Sequence, residues 1–79
     1  MIENRIKHRH LSSFVEVARL KSIGKAAVSL SISQPAVSKT IRELEEILGV
    51  ELFDRSHRSV VLSYYGEVFL RFASASIAA

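Results

Sequence analysis

Apolar residues recur at helical spacing along several stretches of the chain. From His10 to Leu20 they follow i, i+3, i+4 and i+7 counted from Leu11, and after Ser22 the same spacing begins again at Ile23. A third periodic stretch runs from Ser33 to Gly49. Because this period places apolar side chains on one side of a helix, the pattern predicts an amphipathic helix in each stretch.

The third stretch has residues suited to both ends of a helix. Ser33 is a good N-cap, Pro35 is tolerated in the first turn, and Gly49 suits the left-handed position that follows a helix. Its interior carries an apolar stripe with the spacing i, i+4, i+7 and i+11. The members of this stripe are Val37, Ile41, Leu44 and Leu48, with Ala36 and Ile47 beside them.

The opposite face of this helix has its charges in an unfavourable order. Cations and neutral polar groups occupy the N-terminal half and acids the C-terminal half, although a helix dipole favours the reverse. The first group is Gln34, Pro35, Ser38, Lys39 and Arg42, and the second is Glu43, Glu45 and Glu46. Amide, hydroxyl and cationic side chains hydrogen-bond base edges and phosphates in a major groove, so we interpret the first group as a DNA contact surface. The alternative interpretation is an ordinary solvated face.

The second and third predicted helices are separated by only Ser31, Ile32 and Ser33. The second is rich in small residues, and Ala26 and Ala27 leave room for another helix to approach closely. A short helix followed after about three residues by one with a polar outer face is the helix-turn-helix pattern. Gly24, inside the second helix, costs about 1 kcal/mol relative to alanine.

The period changes after Gly49. The segments 51–55 and 59–62 contain residues that favour β-structure, and the polar stretch between them has the length of a hairpin loop. An isolated hairpin is marginally stable, so this one must lie against the helices. The pattern predicts a β wing that presents Arg55, His57 and Arg58 on a projecting loop, where a side chain could enter a minor groove.

Ser63 is the next capping residue and opens a last helix from Tyr64 to about Ala78. This helix is apolar on more than one side, and an apolar surface that one small domain cannot cover is usually a partner interface. We therefore expect it to form a homodimer. The residues expected in that contact are Tyr65, Phe69, Leu70, Phe72, Ala73 and Ile77.

Composition narrows the class of protein. The chain has 79 residues, a net charge of +3 and no cysteine, which suits one small domain in a reducing compartment and permits nucleic-acid binding without proving it. No apolar run has the length of a signal peptide or membrane span, so we expect a cytoplasmic protein that does not bind a membrane.

Enzymatic and metal-binding functions are disfavoured. His8, His10 and His57 lack the spacing of common metal sites, so we expect neither a metal nor another cofactor. A catalytic triad of Ser56, His57 and Asp54 is excluded in practice, because such close neighbours on a short hairpin cannot easily converge. We expect no catalytic residue.

The spaced motifs resemble those of the N-terminal domain of LysR-type transcriptional regulators, over roughly residues 6–71. The resemblance implies a mainly α fold: a winged helix-turn-helix of three helices and a two-stranded β wing over residues 6–63, followed from residue 64 to 79 by the start of a linker and dimerisation helix. The helix-turn-helix motif falls at about 23–42 and the wing at about 51–62. The matching motifs are Leu11-x-x-Phe14-x-x-Val17-Ala18, Ser22-x-x-x-Ala26-Ala27, Ser33-Gln-Pro-Ala-Val-Ser-Lys39, Ile41-x-x-Leu44-Glu45, Leu48-Gly-Val50, Leu52-Phe53-Asp54-Arg55 and Ser63-x-x-Gly66-Glu67.

The resemblance also implies roles for individual residues. The residues expected to contact bases are Gln34, Pro35, Ser38 and Lys39, and those expected near the DNA backbone are Ser33 and Arg42. Arg58 is expected to enter the minor groove, and Arg55 belongs to the same DNA-binding set. Ser22 and Ser63 lie at helix N-termini that are expected to face phosphates. A Phe-Thr pair commonly follows the serine before the double alanine in that family, whereas this chain has Ile23-Gly24.

The predicted function is sequence-specific binding of double-stranded DNA by a bacterial transcriptional regulator. A symmetric dimer would bind an A·T-rich, interrupted inverted repeat. Family members continue into an effector-binding domain that these residues lack, so a small-molecule effector is expected only if such a domain follows, and higher oligomers only in a full-length protein. The alternative is a winged-helix module that docks a partner protein and whose basic face is incidental.

Overall fold

A computed structural model describes residues 5–78 of the chain and the side chains of residues 5–77. These residues form four helices, in agreement with the predicted mainly α fold. The helices are α1 (His8–Leu20), α2 (Ile23–Leu30), α3 (Gln34–Leu48) and α4 (Tyr64–Ala78). Within the described part of the chain, no helix is long and apolar enough to cross a membrane.

Helix α1 begins two residues before the periodic stretch that predicts it. The His10 ring is buried, and its Nδ1 atom accepts a hydrogen bond of 2.9 Å from the backbone N–H of Lys7. This bond satisfies an amide at the helix N-terminus, which no helical carbonyl can reach. The apolar period could not indicate this extra turn because a histidine side chain stabilises it.

The turn between α2 and α3 is held by hydrogen bonds at both of its ends. Ser31 ends α2 in the left-handed conformation, with φ of 60°, and the N–H of Ile32 bonds to the carbonyl of Ala27 at 3.0 Å. Ser33 then caps α3, since its hydroxyl accepts from the N–H of Ala36 at 3.2 Å. Both ends of the turn are therefore closed by local bonds, and the cap at Ser33 is the one that the sequence predicts.

The core lies between the four helices and is centred on Phe14. The ring centroid of Phe14 is 5.5 Å from that of Phe53 and 5.6 Å from that of Phe69, so α1 contacts both the segment after α3 and α4. The alanines of α2 are buried, which allows α1 and α3 to pack closely against it. The remaining buried apolar residues are Leu11, Val17, Val37, Ile41, Leu44, Leu52 and Ala73.

Residues 51–62, which we call the wing segment, contain no β-strand, so the predicted two-stranded wing is not confirmed. The segment doubles back through a single antiparallel bridge between Phe53 and Leu62, beside a bond of 2.7 Å from the N–H of Asp54 to the carbonyl of Val61. On the Leu52 side of the bridge the pairing stops because the N–H of Leu52 bonds to the carboxylate of Glu45. The chain reverses as predicted, but side-chain bonds replace part of the ladder.

Helix α4 packs against α1 and the wing segment at Gly66. This glycine is buried, and a Cβ atom placed on it would lie 2.0 Å from the carbonyl oxygen of Leu52. Only a residue without a side chain permits this approach. The contact sets which side of α4 faces the core.

The packing of α4 changes the predicted dimer surface. Ala73 is fully buried, and Leu70 and Ile77 are half-buried against the core. The sequence pattern predicts a helix that is apolar on more than one side, but α1 already covers the side that carries these three residues. A partner can reach only the remaining apolar side.

Candidate nucleic-acid interface

The N-terminal half of α3 presents an exposed polar arc. Gln34, Pro35, Lys39 and Arg42 are exposed, and Ser38 is half-buried beside them. Among the described residues, the side chains of Gln34, Lys39 and Arg42 form no hydrogen bond or ion pair with another residue. Their donors and acceptors are therefore free to bind a partner. We call these five residues the α3 arc.

The acids in the C-terminal half of α3 are mostly engaged within the domain. Glu43 bonds to Arg9 at 3.0 Å and lies 3.3 Å from the Nε2 atom of His10, while Glu46 is exposed. The sequence interpretation placed Glu45 on the outer face with them, but this residue is buried. The reason is a contact with residues seven and ten positions later, which helical periodicity does not include.

Glu45 connects α3 to the wing segment. One carboxylate oxygen accepts from the backbone N–H of Leu52 at 2.8 Å, and the other accepts from the guanidinium of Arg55 at 2.7 Å. The first bond satisfies a buried amide, and the second fixes the Arg55 side chain beside α3. Glu45 is thus a positioning residue that sequence reasoning missed, and the only sequence signal for it was its place in the Leu44-Glu45 motif.

Replacing Glu45 by alanine is expected to lower the free energy of unfolding by about 2 to 3 kcal/mol, because a buried N–H loses its acceptor and a cation loses its partner. Glu45→Gln should cost less, since its carbonyl oxygen can still accept from Leu52. Urea unfolding followed by circular dichroism measures both. Glu46→Ala is the matched control and should change stability by no more than about 0.5 kcal/mol; equal losses at positions 45 and 46 would contradict the role given to Glu45.

A basic cleft separates α3 from the wing segment. Its volume is about 340 Å³, and it is lined on one side by Ser38 and Arg42 and on the other by Arg55, His57 and Arg58. Arg58 is exposed and, within the described part of the chain, its side chain has no hydrogen-bond or ion-pair partner. The structure therefore brings together predicted contact residues from two distant parts of the sequence.

Asp54 shapes the polar loop that holds Arg58. Its carboxylate accepts from the hydroxyl of Ser56 at 2.6 Å and from the backbone N–H of Ser56 at 3.0 Å, and it lies 3.4 Å from the ring of His57. The two bonds from Ser56, with a smaller contribution from His57, hold the pKa of Asp54 below its usual value. An ionised Asp54 restrains this turn without a strand ladder.

The serines predicted to face phosphates differ in what their hydroxyls do. The Ser22 hydroxyl caps α2 by accepting from the N–H of Lys25 at 3.0 Å. The Ser63 hydroxyl caps α4 by accepting from Gly66 and also donates to the carbonyl of Glu51 at 2.6 Å. The hydroxyl proton of Ser63 is therefore engaged in a hydrogen bond within the domain.

An apolar groove of about 290 Å³ lies between α4 and the end of α3. Tyr65 and Phe72, two of the predicted dimer residues, are exposed along it, and Phe69 is half-buried at its base. Tyr64 and Val68 are also exposed there, although they were not among the predicted contacts. The spacing of Val68 and Phe72, four residues apart, was the available signal. We call Tyr64, Tyr65, Val68 and Phe72 the α4 face.

Known proteins are similar to this chain in sequence and in fold. PcaQ of Agrobacterium fabrum, an HTH-type transcriptional regulator, is 60% identical over all 79 residues, which are 25% of its own length. Oxidised OxyR of Corynebacterium glutamicum is 42% identical with a TM-score of 0.89, over 98% of this chain and 25% of that one. The BenM DNA-binding domain in complex with catB site 1 DNA is 38% identical with a TM-score of 0.88, over 92% of this chain and 82% of that one.

The region of the chain that matches a family profile includes most of the helices described above. The chain spans about a quarter of the length of the curated relatives. Residues 8–67 match the profile described as "Bacterial regulatory helix-turn-helix protein, lysR family", a region that runs from the start of α1 into α4 and includes the α3 arc. The chain belongs to the LysR family of bacterial regulatory helix-turn-helix proteins.

Proposed function

We propose that this domain binds double-stranded DNA sequence-specifically, as part of a bacterial transcriptional regulator that acts on the chromosome in the cytoplasm. The observation that carries the proposal is the α3 arc, in which three long polar side chains are exposed and free of internal partners. The complex of the BenM DNA-binding domain with DNA, a relative of the same fold, supports this use of the domain.

Helix α3 lies in the major groove in this proposal. Gln34, Ser38 and Lys39 contact base edges, with Pro35 packed against a base or sugar, because amide, hydroxyl and ammonium groups match the donor and acceptor pattern of the bases. Arg42 lies nearer the wing segment and contacts the phosphate backbone. Ser33, at the exposed start of α3, also lies near the backbone.

The wing segment binds the DNA beside α3 in this proposal. The basic cleft lined by Arg42 and Arg55 would hold the sugar-phosphate backbone between the two grooves, and Arg58 on the far side would enter the minor groove. A narrow A·T-rich groove has a stronger negative potential, which favours an arginine there. A single bridge rather than a two-stranded sheet supports this loop.

We further propose that two copies of the protein pair through the α4 face. Val68 is 48% and Phe72 is 42% exposed, and burying them between copies would remove apolar surface from water. A two-fold axis would present two α3 helices to an interrupted inverted repeat.

The alternative, a protein-docking module with an incidental basic face, is less well supported. A docking surface on α4 gives no reason for the free polar side chains on α3. Salt-dependent binding of duplex DNA would distinguish the two functions. A protein that neutralises phosphates releases counterions, and its affinity therefore falls as the salt concentration rises.

A selection of bound duplexes from a random library is expected to yield an inverted repeat. Against that operator, Lys39→Ala should weaken binding by about 5- to 150-fold, corresponding to about 1 to 3 kcal/mol, and should relax the preference at one base pair. The ratio of dissociation constants between the operator and its single-base variants measures the preference. Lys39 is tested because its ammonium group is exposed and unpaired.

Lys25→Ala is the matched control because it removes the same charge from the exposed surface of α2. It should change the affinity for all duplexes by a common factor, if at all. An equal loss on operator and random DNA for Lys39→Ala would mean that Lys39 contacts phosphate only. Failure of the library selection to enrich any sequence would contradict specific binding.

A further inference from the structure

A notch at the start of α2 holds the end of the Gln34 side chain. Gly24 is the second residue of α2, and a Cβ atom placed on it would lie 3.1 Å from the Nε2 atom and 3.7 Å from the Cδ atom of Gln34. The same position is 3.8 Å from the hydroxyl oxygen of Ser22. The carboxamide of Gln34 therefore lies beside the backbone of Gly24, in tight contact with the position that a Cβ atom would occupy.

The size of residue 24 determines whether the Gln34 carboxamide can lie beside the backbone of that residue. A separation of 3.1 Å is tighter than ordinary van der Waals contact, so even alanine would displace the carboxamide by a few tenths of an ångström. A branched residue would displace it further. Because the atom affected is the far end of a flexible and exposed side chain, the amide can rotate away while the domain stays folded.

The orientation of this amide matters for recognition. A glutamine distinguishes adenine by donating from its amide N–H to N7 while its amide oxygen accepts from the N6 amino group, which requires a defined direction as well as contact. Displacements of about 0.5 Å or rotations of 10–20° are enough to disturb such a geometry. A residue that sets where the amide rests therefore affects the choice of base without touching DNA.

We infer that Gly24 is a specificity-determining residue that acts through Gln34, by leaving open the position beside its backbone in which the Gln34 carboxamide rests. The inference depends on the proposed function, since it concerns the base pair that Gln34 reads. Gly24 is a positioning residue: its own atoms contribute no side chain to the interface. The expected consequence is that larger residues at position 24 change discrimination at one base pair only.

The first step of the test identifies that base pair. Wild-type protein and Gln34→Ala are titrated with the operator and all of its single-base-pair variants, and the position at which Gln34→Ala loses discrimination is the one that Gln34 reads. Gly24→Ala and Gly24→Thr are then titrated with the same duplexes. Each should change discrimination at that position by about 2- to 10-fold, in the lower range of couplings between residues in contact, and leave the other positions unchanged.

The matched control makes the same substitution at position 24 in a protein that lacks the Gln34 side chain. In the Gln34→Ala background, Gly24→Ala should leave discrimination at that base pair unaltered. A second readout needs no DNA: the side-chain amide resonances of Gln34, assigned by their absence in Gln34→Ala, should shift in Gly24→Ala. Thermal unfolding of each variant establishes that it is folded, and Gly24→Ala, the smaller change, supports the test if Gly24→Thr does not fold.

The outcomes separate this inference from the proposed function. A wild-type protein that binds all duplexes alike would overturn sequence-specific binding and this inference with it. A selective wild-type protein whose preference changes equally with Gly24→Ala in both backgrounds, or not at all, would overturn the role of Gly24 alone. Coupling between positions 24 and 34 that is confined to one base pair would establish it.

Discussion

Gly66→Ala is expected to lower the free energy of unfolding by about 3 kcal/mol or more, a large part of the total for so small a domain. The added methyl group would lie 2.0 Å from the carbonyl oxygen of Leu52 and 3.0 Å from the Cδ2 atom of Leu62. The nearer atom belongs to the backbone, which cannot rotate away, so α4 and the wing segment would have to separate. Helix propensity predicts the opposite sign, since alanine stabilises a helix interior by about 1 kcal/mol relative to glycine.

Urea and thermal unfolding of both proteins, followed by circular dichroism, measure this effect. Gly49→Ala is the matched control: Gly49 has φ of +76° with no atom within 4 Å of the added Cβ, so it tests backbone strain without a clash. A loss of about 1 kcal/mol is expected there. If Gly66→Ala were as stable as the wild-type protein, the close approach of α4 to Leu52 would be wrong.

Val68→Glu is expected to abolish cooperative binding to an inverted repeat. Two joined contacts can bind about 10² to 10⁴ times more tightly than one, because the second contact forms at high effective concentration. If two copies pair through the α4 face, each variant copy would bring a carboxylate into an apolar contact, where burial of an unpaired charge is costly. Affinity should fall to about that for a duplex with one half-site.

Val68 is a better position for this test than Leu70 or Ile77, which are half-buried against the core. Ser74→Glu is the matched control, because Ser74 is exposed and, at 100° per residue, lies about 120° around α4 from Val68. It should retain the preference for two half-sites. Titration with one-site and two-site duplexes measures affinity, and sedimentation of the complexes measures stoichiometry. Retention of cooperativity by Val68→Glu, or its loss in both variants, would contradict pairing through the α4 face.

Local signals predicted the helices well. Caps such as Ser22, Ser33 and Gly49 depend on backbone groups within a few residues, and the α3 stripe depends on a period that holds for any helix. These features need no tertiary information, and the structure confirms them. The start of α1 differed because His10 provides a bond that the apolar pattern does not include.

Predictions that required knowledge of distant neighbours were less successful. The wing was expected to be a sheet, but Glu45 takes an amide that a strand would use. Ala73 was expected at a dimer surface, but α1 covers that side of α4. In each case the competing contact comes from a residue that secondary-structure periods do not connect.

The sequence by itself determined the four helices, the caps at Ser22, Ser33, Gly49 and Ser63, the polar N-terminal half of α3 and the resemblance to LysR-type regulators, because each depends on residue types at short spacing. Only the tertiary structure decided which polar groups on α3 are engaged and which are free, and which side of α4 is exposed. It also decided that Gly24 lies beside Gln34. The physical reason is that burial and hydrogen-bond partnership depend on contacts between elements, and these are set when the helices pack around Phe14.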